Sequence, residues 1–386
     1  QYDRVEEFSR RIYFMNVGRI NDCGMKLRIK NGLPALCFLM MATSCTMMHQ
    51  DLDDCPVGLY LTFQYDYNLE RADMFNDHVG SVTVYVYDTN GHYLTKQEEA
   101  NTASYLPLQS TDYRMHMDLP AGRYQLLVVA NDKSYEETLL EGANFVRNEP
   151  QEGDAVEDFC LLLDRTQEGT RYRVDHKGTP LDDLWMGRLL EEDGTTMKVV
   201  DVYDTKPTYD TVSLVRDTKR INVTLRELQE PELMDIANFD MRIYDRNSHI
   251  LWDNSLNERD TVYYTPYATW NTEDRETSVE GRTTTATGRM AHAEFMTSRI
   301  IYHERAEDDA VLSVVNKESG VEVIRINLAD VLSRLASSET DYSPQEFLDR
   351  GYEYQLSFFL QGDRWVYAQL SISTLSWSVR IQNTEL

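Results

Sequence analysis

Apolar and polar residues exchange places with a period of two in short runs along most of this chain, and that alternation leaves few folds open. Leu59-Tyr-Leu-Thr-Phe-Gln-Tyr65 sets Leu59, Leu61, Phe63 and Tyr65 on one face, and Ser81 to Tyr87 sets Val82, Val84 and Val86 against Tyr85 and Tyr87. A period of two is the pleat of a β-strand, not the 3.6-residue repeat of a helix. The second run ends in Asp88-Thr-Asn90-Gly91, whose Asn-Gly pair accepts the positive φ of a hairpin turn. Leu119-Pro-Ala-Gly122-Arg-Tyr124 reads as another turn, feeding an apolar strand that runs to Ala130. Further strands are expected at 158–163, 196–203, 211–216, 220–225, 239–245, 262–265, 290–298, 310–315, 321–327, 353–360, 365–373 and 376–382.

Helix signals are sparse. Asp330 to Leu335 offers one or two turns, Ser343-Pro344 is a capped start with Pro at the first helical position, and Ser110 to Met117 fits either state. The fold class that follows is all-β, two consecutive β-sandwich domains, not a parallel α/β sheet. A boundary is expected at Lys206-Pro207-Thr208, giving domains 56–207 and 208–386, with the Thr-, Glu-, Gly- and Arg-rich stretch 270–289 as an exposed loop of the second. The chain carries 24 Tyr against 12 Phe, a balance that suits half-exposed strands and wet interfaces. Its formal charge of −27 excludes nucleic acid as the main partner and a polybasic grip on anionic lipid.

Before the first strand lies a different pattern. Lys26, Arg28 and Lys30 follow Met25, then comes the apolar run Leu33 to Ala42, then Ala42-Thr43-Ser44 and Cys45. The run is too short to span a bilayer, which needs about 20 apolar residues, and reads as a secretory signal peptide over 25–44. Cleavage is expected between Ser44 and Cys45, and the small residues before Cys45 resemble the lipobox of bacterial lipoproteins, in which the Cys is acylated. Ala42 stands where Leu is commoner. Residues 1–24 read as an over-extended start, with Met25 the true one. Residues 45–55 form a tether whose Asp51, Asp53 and Asp54 are either a solvated linker or an acidic export signal. Cys55 and Cys160 would then be the remaining thiols; they could make one disulfide, and they are too few for a four-Cys zinc site.

Catalytic signatures do not emerge. There is no Gly-x-Ser-x-Gly elbow, no phosphate-binding Gly-rich loop and no Gly-x-Gly-x-x-Gly. His303-Glu304 begins like a zincin motif but meets Glu307 where His is needed. His292-Ala-Glu294 has the spacing of a zinc deaminase without the Cys pair, and its flanks alternate as a strand. No enzyme, metal site or cofactor is expected beyond a covalent lipid on Cys45.

In order along the chain, these landmarks resemble the FimB-type fimbrial anchor family of Bacteroidales, lipoproteins at the base of type V pili. Cys45 followed by Cys55-Pro-Val-Gly58, then Tyr65-Asp-Tyr-Asn68, the Leu119-Pro-Ala-Gly-Arg-Tyr124 turn, Leu184-Trp-Met-Gly187, Leu214-Val-Arg-Asp217, Gln345 to Tyr354 and Trp377 to Gln382 carry the resemblance. Trp185, Met186 and Gly351 depart from the commoner residues. The resemblance implies transthyretin-like or Ig-like sandwiches and a non-enzymatic lipoprotein held in the outer membrane. It further implies junction with a shaft subunit, the fimbrillin, by β-strand addition, with a limit on pilus length. Trp377, Val379 and Ile381 alternate with polar residues and are the candidate partner strand; the same pattern equally fits a last core strand. A surface glycan-binding lipoprotein of a polysaccharide-uptake system is the rival reading, and a glycoside hydrolase a further one.

Overall fold

The computed structural model describes residues 57–140, 142–174, 176–274, 288–336, 341–373 and 378–383. The first half contributes strands β1 (Gly58–Gln64), β2 (Ser81–Tyr87), β3 (Tyr93–Ala100), β4 (Met115–Met117), β5 (Gly122–Asn131) and β6 (Phe145–Arg147). It continues with β7 (Cys160–Leu163), β8 (Thr166–Glu168), β9 (Arg171–Val174), β10 (Leu184–Arg188), β11 (Val200–Val202) and β12 (Pro207–Arg216). The second half supplies β13 (Thr218–Glu227), β14 (Phe239–Asp245), β15 (His249–Leu251), β16 (Val262–Tyr264), β17 (Ala268–Asp274) and β18 (Gly288–Ser298). Then follow β19 (Val311–Asn316), β20 (Glu322–Asn327), β21 (Glu353–Leu360), β22 (Trp365–Ile372) and β23 (Ser378–Gln382). Among the described residues four short α-helices interrupt them: α1 (Phe75–His78), α2 (Tyr135–Thr138), α3 (Leu328–Ser333) and α4 (Pro344–Arg350). The all-β expectation is met.

The first domain is built on one sheet in the order β3-β2-β5-β10-β12-β1-β4, with β11 also on β5. It curls until its edges approach: Gln97 of β3 donates to the His116 carbonyl of β4 at 2.9 Å, and the Tyr113 hydroxyl donates to Glu99 at 2.8 Å. The alternation read from sequence fills the inside, where Leu59, Leu61, Val82, Val84, Leu126, Trp185, Val212 and Leu214 form one core. At the expected turns, Gly91 takes φ +79° while Asp88 accepts from the Asn90 and His92 amides, and the Tyr124 hydroxyl donates to the Pro120 carbonyl.

Tyr85 and Tyr87 are not half-exposed. Both are fully buried, because β6 and β7 cover the outer face of β2 and β5, and Phe159 packs 4.8 Å from the Tyr85 ring. A central strand covered on both faces loses the solvent side that its pattern implied.

The second domain sets β17-β18-β13-β21-β22-β23 and β20-β19-β14-β16-β9-β8 around one core holding Ile221, Val223, Phe295, Leu356, Phe358, Met241, Ile243 and Leu312. Asn327 caps α3 and Ser343 caps α4, each accepting a backbone N–H from the first turn. The expected boundary at 207/208 lies at the start of β12. Pro207–Arg216 completes the first sheet, where Val212 and Leu214 enter its core, while β7 pairs with β15 and β9 with β16. Asp204 to Lys206 bend into β12, and the chain crosses from the first sheet to β13 at Asp217. Of the stretch 270–289 expected as a loop, 275–287 lie outside the described residues, and 270–274 and 288–289 belong to the paired strands β17 and β18. Their polar composition suits a sheet edge and hides the alternation.

Candidate assembly surfaces

The chain enters the described fold at Gly58, which takes φ +87°; a Cβ there would stand 2.9 Å from the Met117 carbonyl oxygen. That is the role of Gly in the Cys-Pro-x-Gly pattern: it lets β1 start tight against β4. From there β1 runs parallel to β12 over seven register pairs, Gly58 with Pro207 through Gln64 with Ser213, and antiparallel to β4 at Leu59 to Leu61. The first and last strands of the first sheet are therefore neighbours, pointing the same way.

From β12 the chain passes directly into β13 through a buried polar crossing. The Arg216 guanidinium bonds the Asp183 carboxylate and lies 4.4 Å from the Tyr352 ring centre. Lys219 is fully buried, and its ammonium donates to the carbonyls of Arg216, Asp349 and Gly351 at 3.4, 2.9 and 2.8 Å. Asp349 in turn holds Arg299 in a two-pronged pair, both bonds at 2.7 Å. Burial pushes the Asp217 carboxyl up and the Lys219 ammonium down. Gly351 has its own packing reason: a Cβ would fall 2.3 Å from the Tyr354 hydroxyl. Sequence reading missed this cluster. Its signal was the run Arg216-Asp-Thr-Lys219, polar and free of Gly or Pro between two alternating stretches.

At the other end, β23 pairs only with β22 among the described residues, through Ser378 to Gln382. Ile381 is buried in the domain's own core and Val379 packs half-buried against it. The apolar face that could fill a partner's groove is occupied at home, and the outer backbone edge is what this strand presents. Arg380 is exposed and stacks 3.7 Å from the Tyr367 ring. Trp377, the third member of the candidate strand, lies outside the described residues. So do Ser44, Cys45 and Cys55. Cys160, at the start of β7, is a half-buried thiol, unpaired among the described residues, and burial raises its pKa.

The two histidines weighed for metal chemistry sit in other settings. His292 lies on β18 with its ring between the Thr224 and Thr272 hydroxyls, at 3.1 and 2.7 Å. His303 bridges Asp309 at 2.9 Å and Glu258 at 2.7 Å; burial works against its proton, but these two partners raise its pKa overall.

Comparison with known proteins agrees with this architecture. The model of the family described as fimbrillin-A associated anchor proteins Mfa1 and Mfa2 matches residues 52–383. The chain belongs to that family. The minor fimbrium anchoring subunit Mfa2 of Porphyromonas gingivalis is 22% identical over 316 residues, covering 79% of this chain and 81% of that protein. A solved adhesin candidate from Bacteroides thetaiotaomicron is 30% identical with a TM-score of 0.67, over 86% of this chain and 100% of that one. The solved fimbrial anchor protein Mfa2 of P. gingivalis gives 0.55 at 16% identity, over 85% and 100%. The family expected from the order of short motifs is thus met, and residues of those motifs have structural roles in this chain: Gly58 at strand entry, Tyr124 at a turn, and Trp185, which departs from the commoner residue, in the first core.

Proposed function

We propose that this chain is the lipid-anchored base of a fimbria in the outer membrane. Cys45 carries the lipid, the first shaft subunit joins by β-strand addition, and the pair limits fimbrial length. A structural role at the cell envelope follows from family membership. The observation that carries the reading further is the position of β1. A tether leading from Cys45 delivers tension at the N-terminal end of β1, and the load leaves toward the second domain at the C-terminal end of β12. Two parallel neighbours pulled this way slide along their common axis, so the hydrogen bonds of all seven register pairs share the load. Because the chain's own β1 is paired on both sides, with β12 and with β4, that domain needs no strand from another subunit, as a starter requires. The outer edge of β23 is where a strand of the shaft subunit adds, backbone bonds giving affinity and the neighbouring exposed side chains giving register.

Cysteine scanning in a fimbriated strain tests both ends. Arg380→Cys or Gln382→Cys is expected to cross-link to a cysteine-bearing strand of the shaft subunit, while Thr95→Cys on β3 is not. Cross-linking at β3 with none at β23 overturns the junction. Cys45→Ala is expected to release the protein from the outer-membrane fraction; a mature N-terminus at any residue other than 45 overturns the anchor.

A further inference from the structure

Two motif runs that carry the family resemblance, Tyr65-Asp-Tyr-Asn68 and Gln345 to Tyr354, stand far apart in the chain, and neither the lipid anchor nor the β23 junction uses them. The structure sets them against each other. The first run opens the loop that follows β1. Asn68 is fully buried in that loop and donates to the carbonyls of Tyr65 and Ala72, both at 2.8 Å, so the loop keeps its shape. The second run is α4 and the entry to β21. Arg350 of α4 lies between two rings, 4.0 Å from the Tyr67 centre and 4.7 Å from that of Tyr342. Arg71 lies 5.5 Å from the centre of the same Tyr342 ring and donates to its hydroxyl at 3.0 Å. Beside this stack of alternating rings and guanidiniums, the Tyr352 hydroxyl donates to Glu70 at 3.1 Å.

The two domains are thus joined by two unlike seams. One is apolar and backbone-paired: β7 with β15, β9 with β16, and a core that runs from Tyr85 and Leu127 to Ile243 and Leu312. Parting it would expose apolar surface to water. The other is the polar seam between the loop after β1 and α4. Its guanidiniums, hydroxyls and carboxylate regain water when they separate, so opening it costs little net. It also stores strain. Four non-glycine residues among those described take a positive φ, and three stand at this seam. They are Arg71 at +53°, Asp341 next to Tyr342 at +53°, and Asn254 at +64°, whose carbonyl takes the Arg299 guanidinium that Asp349 of α4 holds. Left-handed backbone is costly for an L residue and persists only where surrounding contacts impose it. Parting the polar seam releases that strain; parting the apolar one does not.

We propose that the polar seam is a strained latch between the domains, closed at rest and opened by a pull on β1 while the apolar seam holds. β1 runs straight into the loop, so tension at its N-terminal end reaches α4 by a route that bypasses β12. This use under load rests on the anchor reading; the latch itself does not. Small-angle scattering of the full chain, with a melting curve, tests the latch without fimbriae. Arg350→Met, which keeps the stem and loses the guanidinium, and Tyr342→Ala are each expected to lengthen the maximum dimension and leave a single melting transition. Unchanged scattering in both variants overturns the latch, and so does loss of the melting transition in both, which would make the seam part of the fold. Graded shear on a fimbriated strain then tests the load. Arg350→Met is expected to shed fimbriae at lower shear than the wild type. Asp341→Gly, which frees the backbone and leaves the stack, is expected to hold them to higher shear. Earlier shedding by Asp341→Gly overturns the stored strain. If Arg350→Met opens the chain in solution and fimbriae are shed as from the wild type, the pull does not pass through β1, and the anchor reading fails rather than the latch.

Discussion

At the N-terminal end of the described fold, β1 has a strand on each side and every second side chain in a closed core; at the C-terminal end, among the described residues, β23 has a strand on one side only and two side chains on the core. Both are short alternating strands, and their sequences alone would rank them as equals. The difference lies in what surrounds them. The first sheet curls until β3 and β4 meet through Gln97 and Tyr113, leaving β1 paired on both sides, with β12 and β4. The second sheet stays open and ends at β23. Other edges are guarded by charge, as β20 is by the Glu322–Arg325 pair and β3 by Lys96, Glu98 and Glu99, whereas the exposed side chains described on β23 are Arg380 and Gln382. One end is built to hold and the other to receive.

Substitutions that treat the two strands alike should give unequal results. Leu61→Asp places a carboxylate in the first core and is expected to cost more than about 4 kcal/mol, enough to prevent a folded first domain; loss of cooperative urea unfolding, or of soluble protein, checks it. Lys219→Met strikes the crossing between the domains. It leaves three buried carbonyls without their donor, an expected loss of about 2–4 kcal/mol in denaturant titration. If Lys219→Met is neutral, the crossing does not couple the domains.

Val379→Asp is milder because Val379 is only half-buried. A cost of about 1–2 kcal/mol is expected, with the domain folded and fimbriae shed into the medium. A variant that unfolds makes β23 a purely structural strand; one that stays folded and keeps its fimbriae moves the junction elsewhere. The smallest effect concerns pH and should belong to the second domain alone. The folded-state pKa of His303 is raised by Asp309 and Glu258, so its stabilisation is complete below the unfolded value of about 6.5 and fades as pH rises through the folded value. Melting curves between about pH 6 and about pH 8 should therefore fall for the wild type and flatten in His303→Gln.

The sequence by itself determined the local grammar: the pleat of β1 and β2, the Asn90-Gly91 turn, the Tyr124 turn and the Ser343 cap on α4. The order of its short motifs also determined the family. All of these depend on residues within a few positions of one another, where side-chain period and turn chemistry leave little choice. Pairing was decided by the tertiary structure. Nothing near Pro207 announces that β12 will lie beside a strand some 150 residues earlier, because any strand's backbone can pair with any other. The partner is selected only when Val212 and Leu214 meet Leu59 and Leu61 in one core. For the same reason Tyr85 and Tyr87 looked half-exposed until β6 and β7 covered them. The C-terminal strand was legible as a strand with one apolar face, but whether that face went to a partner or to its own domain turned on the burial of Ile381, which only the packed second core decides.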